Sequence, residues 1–320
     1  MCALFGFLDY GHRIPIKVLQ RLLQALANAS EIRGNHAAGI AYLKDNSLTI
    51  YKRPKPAHKL HFKLPRGTSA VMGHTRFTTQ GSEKQNYNNH PFKGHAGEVF
   101  ALAHNGVLYN ERELKQQNQL PPTVIETDSY VAVQLLEGEG KVDFESLKSM
   151  AETVCGSYTF TVLTEQNVLY FVKGTSPLYL IHFPKHGLYV YTSTSTIMHE
   201  ALERMGMLFL PHEVVPVNDG DLIKLNPNGR IETASFAVND FEISPKAFWS
   251  FANLQSKYRS LGASSFDDDE LEELLDLCGY YGLTEDDVLY MREIGYSFDE
   301  IEEFLYCPSA YERALMEGEL

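Results

Sequence analysis

Cys2 stands directly behind the start methionine in the run MCALFGF, and a small side chain at that place favours removal of the methionine. The new terminus would carry a thiol and a free α-amino group on one residue, a nucleophile supplied with its own base. The two groups titrate near about 8.5 and about 8, so a proton can pass between them at neutral pH. The competing reading is a buried strand, because cysteine also packs as a small hydrophobe. Three further stretches bear on the choice. In GHTRFTTQG, Arg76 ends an apolar run ahead of a polar loop closed by Gly81; its planar guanidinium fork suits a carboxylate, although a surface ion pair is the plainer use. In HNGVLYN, Asn105 offers a side-chain amide and Gly106 an unobstructed backbone N–H, the components of an oxyanion hole or of a hairpin turn. In ETDSYVAV, Asp128 stands at a helix start, where a carboxylate caps the helix or binds an ammonium group.

The elements that must hold these residues are legible as hydrophobic periods. Alternating apolar runs predict strands at ALFGFL, GIAYL, SLTIYKR, AVMGHTRF, EVFALAHN, YTFTVLT, VLYFVKG, LYLIHF, GLYVYTS and DLIKL. Three- and four-residue spacing predicts helices at IKVLQRLLQALANA, TDSYVAVQLLE, FESLKSMAETV and TIMHEALERMG. Short turn sequences, KDNS, TEQN and PKHG, sit between paired strands and imply hairpins. The sheet is therefore expected to be largely antiparallel with helices layered on it, which points away from a doubly wound parallel fold.

The chain has 320 residues, a net charge of -13 and four cysteines, Cys2, Cys155, Cys278 and Cys307. The cysteines form no C-x-x-C pair, so neither a zinc ribbon nor a disulfide framework is expected. His90 and His95 lie close together, but no histidine set has zinc-ligand spacing; no metal and no cofactor are predicted. The absence of a long apolar run predicts no membrane span, and the N-terminal composition predicts no secretory leader, so the protein is expected to be cytoplasmic. The charge is unevenly placed. Residues 261–320 hold eighteen acids and two arginines, leaving 23 acids and 26 bases before them. That asymmetry speaks against nucleic acid as a partner.

Taken together, MCALFGF, EIRGNHAAGIAYL, GHTRFTTQG, NNHPF, HNGVLYN, ETD and KGTSPLYL occur in an order and at intervals that closely resemble the glutaminase domain of class II glutamine amidotransferases, a branch of the N-terminal nucleophile hydrolases. The resemblance covers about the first three quarters of the chain. It implies an α+β fold, a four-layer αββα sandwich with antiparallel sheets, and hydrolysis of the side-chain amide of L-glutamine to glutamate and ammonia. Carried over by motif, it implies Cys2 as nucleophile, Asn105 and Gly106 as the oxyanion hole, Arg76 as the α-carboxylate clamp and Asp128 as the α-ammonium ligand. It further implies that Thr79 lines the glutamine pocket with Gly106, and that Arg33 and Gly34 position the nucleophile. The chain departs from many relatives at Phe77 and Gln80, where tryptophan and histidine are usual, and in Lys173-Gly174-Thr175-Ser176-Pro177-Leu178, where R-G-S-P-L is usual.

The resulting organisation is a glutaminase domain over 2–240, a connector over 241–265 and a small acidic all-α region over 266–320. The last is too short for a sugar isomerase, phosphoribosyltransferase or synthetase fold. The ammonia acceptor is therefore expected on a separate synthase subunit, with the acidic tail as its docking element. Two other readings use the same residues: a γ-glutamyl amide or peptide hydrolase, and a non-catalytic glutamine-sensing module.

Overall fold

A computed structural model describes residues 2–239; the connector and the acidic region expected over 241–320 lie outside the described residues. In chain order the elements are β1 (Ala3–Asp9), α1 (Ile16–Ala29), β2 (Ala37–Lys44), β3 (Ser47–Arg53), β4 (Ala70–Arg76), β5 (Phe92–Ala96), β6 (Glu98–Leu108), α2 (Glu111–Gln117), α3 (Tyr130–Glu139), α4 (Phe144–Thr153), β7 (Gly156–Thr164), β8 (Leu169–Lys173), β9 (Tyr179–Phe183), β10 (Leu188–Thr192), α5 (Ser195–Arg204), β11 (Glu213–Val215), β12 (Asp221–Leu225) and β13 (Ile231–Ser235). They form two sheets. One has the order β11-β9-β10-β1-β4-β2-β3 and the other β13-β12-β8-β7-β6-β5. The paired strands run antiparallel throughout both sheets.

The two-residue period of the strands sorts their side chains into three buried layers. On β1, Ala3, Phe5 and Phe7 face α1 and α5, together with Leu19, Leu22, Leu26, Ile197 and Met198. The intervening Leu4 and Leu8 face the other sheet and meet Ala101, Ala103, Leu163, Phe171 and Ile223. On β6, Phe100 and Leu102 turn the opposite way, against Val131, Leu136, Leu147 and Met150 of α3 and α4. Helix, sheet, sheet and helix therefore stack as the expected αββα sandwich. β1 and β8, buried on both faces, read as nearly continuous apolar runs in sequence, which is why they are readily recognised, whereas the equally buried β4 and β7 also carry polar side chains.

The helix ends follow local chemistry. Pro15 precedes the first turn of α1 with its fixed φ of -58°. Asp143 and Ser146 form a reciprocal capping box on α4, and Thr194 caps α5 by accepting from the Ile197 N–H. The Asp128 side chain makes no such cap: α3 begins at Tyr130 after Ser129, and neither side chain bonds its first turn. Four elements escaped the periodic reading. β5 is interrupted by Gly94, β11 is three residues long, β13 alternates only between half-buried and exposed side chains, and α2 buries little besides Leu114. None of them carries an apolar period strong enough to be read without its neighbours.

No helix among the described residues is long and apolar enough to cross a membrane. Phe171 from one sheet meets Tyr191 from the other edge-on, with ring centroids 4.8 Å apart, in the layer that joins the sheets. Replacing Phe171 with alanine would leave a cavity at that junction and should cost about 3–5 kcal/mol; an unfolding free energy lowered by that amount in chemical denaturation is the expected result.

Candidate active site

The register of β1 against β4 pairs Ala3 with Thr75, so one step further the register sets Cys2, just ahead of β1, opposite Arg76. Its half-buried thiol donates to the Phe77 carbonyl at 3.4 Å, just beyond the end of β4. Burial raises this thiol above its ordinary range; the Phe77 hydrogen bond and the Arg76 charge pull it the other way. Arg33 reaches the same place from the short helical turn Ser30–Ile32, donating through Nε to the Cys2 carbonyl at 3.1 Å. Gly34 then passes so close to the β4 end that a Cβ there would lie 2.5 Å from the Phe77 nitrogen. The Arg-Gly pair of the sequence thus combines an arm onto Cys2 with a backbone that needs no side chain.

Arg76 is buried, with 3 % of its surface exposed. Its Nη1 donates to Asn89 Oδ1 at 2.8 Å, and Nη2 to the Gln80 and Gly81 carbonyls at 2.6 and 2.8 Å. Three of an arginine's five N–H bonds are therefore used, and the Nε–H and one Nη1–H remain for a ligand. Burial pulls the guanidinium below its ordinary value, while Cys2, Asp128, Glu83 and Glu126 oppose the shift. The polar loop it holds is fastened twice more: Gln80 Nε2 donates to the buried Glu111 at 2.9 Å, and the Thr78 N–H donates to His36 Nδ1 at 3.0 Å. Phe77 stacks on the His36 ring at 4.9 Å. Thr79, at the outside of this loop, is exposed and makes no hydrogen bond to the other described residues.

Asn105 and Gly106 do not make a hairpin turn. They lie within β6, opposite Thr159 and Tyr158 of β7. Gly106 holds φ at +130°, and a Cβ there would lie 2.0 Å from the Ser157 carbonyl oxygen and 2.8 Å from the Ser176 hydroxyl; a conformation this far into positive φ is essentially reserved for glycine. The Thr-Ser-Pro loop of KGTSPLYL thus closes on Gly106, and Thr159 donates to the Ser176 carbonyl at 2.5 Å. Asn105 is fully buried; its Nδ2 lies 3.5 Å from the Ser193 hydroxyl, and its Oδ1 has no partner among the described residues. Ser193 in turn accepts from the Leu4 N–H at 2.8 Å. One hydroxyl therefore joins Asn105 of the second sheet to β1 of the first, two residues past Cys2.

Asp128 is buried and braces the end of β6, accepting from the Leu108 N–H at 2.6 Å and from the Ser129 hydroxyl at 3.3 Å. The Ser129 hydroxyl lies 2.8 Å from Nδ1 of His104, whose pKa burial lowers. Both Arg76 and Asp128 act electrostatically on Cys2, yet no ion pair joins the two among the described residues. Ser193, Asn89, Glu111 and His36 were not assigned roles from sequence. Asn89, inside NNHPF, and His36, inside EIRGNHAAGIAYL, lie in the motifs of the sequence; Ser193 and Glu111 do not. No group of histidine, cysteine or acidic side chains able to hold a metal ion occurs among the described residues, and His95 is exposed while His90 is buried.

Residues 74–199 match the glutamine amidotransferase domain family, a stretch that contains Arg76, Thr79, Asn105, Gly106 and Asp128. Cys2 and Arg33 precede it. The chain is 30% identical over 259 residues to a glutamine–fructose-6-phosphate aminotransferase (isomerizing) of Staphylococcus aureus, covering 76% of this chain and 40% of that protein. It is 32% identical over 186 residues to the enzyme of the same name from Bacillus cereus, covering 56% and 30%. The chain thus spans less than half the length of these relatives. Its fold is similar to that of the glutamine phosphoribosylpyrophosphate amidotransferase of Bacillus subtilis, with a TM-score of 0.58 at 21% identity over 82% of this chain and 60% of that one. The same score and identity relate it to an allosteric regulatory enzyme of purine biosynthesis, over 86% and 58%. Two antiparallel sheets between helices, the amidotransferase motifs in register on them and these relatives agree: the chain carries a class II glutamine amidotransferase domain on an N-terminal nucleophile hydrolase fold.

Proposed function

We propose that the protein hydrolyses the side-chain amide of L-glutamine through Cys2. The observation that carries this reading is the pair of opposite charges, Arg76 and Asp128, buried at one end of the sandwich without pairing to each other, both within electrostatic reach of Cys2. Buried charges are costly unless matched. A free amino acid supplies the match, its α-carboxylate for the guanidinium and its α-ammonium for the carboxylate, and its side chain then extends toward a thiol.

The chemistry follows from the groups present. Burial holds the Cys2 thiol protonated at neutral pH, so attack needs a base, and removal of Met1 would provide the α-amine of Cys2 itself. The thiol proton passes to that amine as sulfur bonds to the amide carbon. The oxyanion so formed is met by the Asn105 amide and the Gly106 N–H. The amine returns the proton to the departing nitrogen, the C–N bond breaks, and ammonia leaves. Water then cleaves the γ-glutamyl thioester to glutamate and restores the thiol. Arg33 holds the Cys2 carbonyl, and with it the direction of the thiol. Thr79, in the loop that Arg76 gathers, lines the glutamine pocket in this reading.

The ammonia acceptor in this reading is bound by a separate synthase subunit, with the acidic segment 266–320 as its docking element, since charge is concentrated there. Deleting residues 262–320 should leave glutamine hydrolysis intact and abolish capture of that subunit. Cysteines without pairing spacing support a reducing compartment, the cytoplasm.

The decisive experiment is the intact mass of the full chain before and after incubation with a γ-electrophilic glutamine analogue. Loss of Met1 and a single adduct, blocked by glutamine and missing from Cys2→Ala, is expected. An adduct that persists in Cys2→Ala would move the nucleophile elsewhere. Steady-state assays should also find Asn105→Ala slower in kcat by about 100- to 1000-fold. Arg76→Ala and Asp128→Ala should each lower kcat/KM by about 10- to 100-fold, mostly through KM, as expected for loss of a charged hydrogen bond to the substrate.

A further inference from the structure

Lys52, next to the last residue of β3, is a half-buried cation without a carboxylate partner among the described residues. Its ammonium donates instead to two backbone carbonyls, those of Asn89 and Pro91, the latter at 3.1 Å, and stands 4.9 Å from the centroid of the Phe92 ring. The segment it grips answers in kind: Asn86 Nδ2 donates to the Lys52 carbonyl at 3.1 Å. Within that segment both ends of the Asn89 amide are engaged. Its Nδ2 donates to the Glu83 carbonyl at 2.8 Å and to Asn86 Oδ1 at 3.2 Å, and its Oδ1 receives the Arg76 Nη1. A continuous chain of hydrogen bonds thus runs from Lys52 through the backbone of residue 89 to the guanidinium.

This is an expensive way to place a positive charge. The ionic groups that face Lys52 are Arg76 and His74 from β4 and His90 from the gripped segment, all of which sense one another. Burial keeps both histidines neutral, so the charge Lys52 meets is that of Arg76, and it is repulsive. A lysine used only to fill space would do better as methionine. We propose that Lys52 is a positioning residue for the substrate clamp: by holding the backbone of residues 89–91 it fixes Asn89, and Asn89 aims the Arg76 guanidinium at the α-carboxylate of glutamine. The inference rests on the reading of the site given above and adds to it a control by pH.

The sign of that control follows from the environment. Burial, with repulsion from Arg76, lowers the Lys52 pKa to about 8. Below this the ammonium makes charge-assisted bonds to the two carbonyls; above it the neutral amine makes weaker ones. Glutamine should therefore bind progressively less well as pH rises through about 8, whereas an arginine at this position stays charged.

The test is the pH dependence of KM and kcat for glutamine in the full chain. The unaltered protein should show KM rising above pH about 8. Lys52→Arg should flatten that limb while keeping the low KM. Lys52→Met should raise KM about tenfold at neutral pH, with kcat changed less than about threefold and no alkaline limb beyond that of the substrate's own titration. Asn89→Ala should raise KM similarly, and the Lys52→Met/Asn89→Ala double variant should be no worse than Asn89→Ala alone, because both act through one contact. Titration of the substrate itself is common to every variant and cancels in the comparison. An alkaline limb unchanged in Lys52→Arg, or full additivity in the double variant, would overturn the proposal; so would a fall in kcat with KM unmoved. Should Lys52→Met fail to fold, the Lys52→Arg profile and Asn89→Ala still decide. Absence of hydrolysis by the unaltered chain would bring down the reading of the site itself, and this inference with it.

Discussion

The pairing of β1 with β4 is the constraint on which the site depends. An antiparallel ladder leaves no freedom between its two strands: once Ala3 faces Thr75 and Phe5 faces Gly73, residue 2 must arrive opposite residue 76. A slip by one residue would turn Ala3, Phe5 and Phe7 from the helix side to the sheet side and exchange them with Leu4 and Leu8. Two buried layers resist that slip, because both faces of β1 are filled. The placement of the candidate nucleophile beside the candidate clamp is therefore secured by packing along the whole strand rather than by contacts at its tip.

The second sheet contributes through the same packing. Asn105 and Gly106 are carried by β6, the longest strand, and are brought to β1 by the stacking of the two inner faces, with the Ser193 hydroxyl as the link. Ala101 and Ala103, the inward residues of that strand, are small, and this lets the sheets approach where Leu4 and Phe171 supply the bulk. Asp128 belongs to the following segment, yet its carboxylate returns to the Leu108 N–H at the end of the same strand. Both halves of the site thus end on rigid strands. The loop next to the candidate clamp, residues 77–81, is itself held by Arg76, Glu111 and His36.

The site also shows how a fold tolerates buried charge. Arg76 keeps its guanidinium in a buried place by donating to backbone carbonyls and an asparagine, and Lys52 does the same with the carbonyls of Asn89 and Pro91. Carbonyl groups solvate a cation without neutralising it. The cation is left able to attract an anion from solution, which a salt bridge would have prevented. Asp128 mirrors the arrangement with a backbone N–H and a hydroxyl.

Much of this was legible from sequence because it depends on short-range pattern. The helices at Ile16–Ala29 and Phe144–Thr153, the strand Ser47–Arg53 and the hairpins across KDNS, TEQN and PKHG follow from apolar period and turn chemistry, which need no distant partner. The motif set singled out Cys2, Arg76, Asn105, Gly106 and Asp128. Long-range contacts decided the rest. Asn-Gly reads as a turn in isolation, and only the Ser157 carbonyl and the Ser176 hydroxyl, fifty and seventy residues away, explain a glycine inside a strand. Asp128 reads as a cap until the Leu108 N–H claims it. Lys52 and Asn89 have no periodicity to betray them, since their role lies in hydrogen bonds between β3 and a loop more than thirty residues later. Sequence determined which elements form, because period and propensity are local; tertiary structure decided which polar groups meet, because that is settled by how the two sheets and their connecting loops pack.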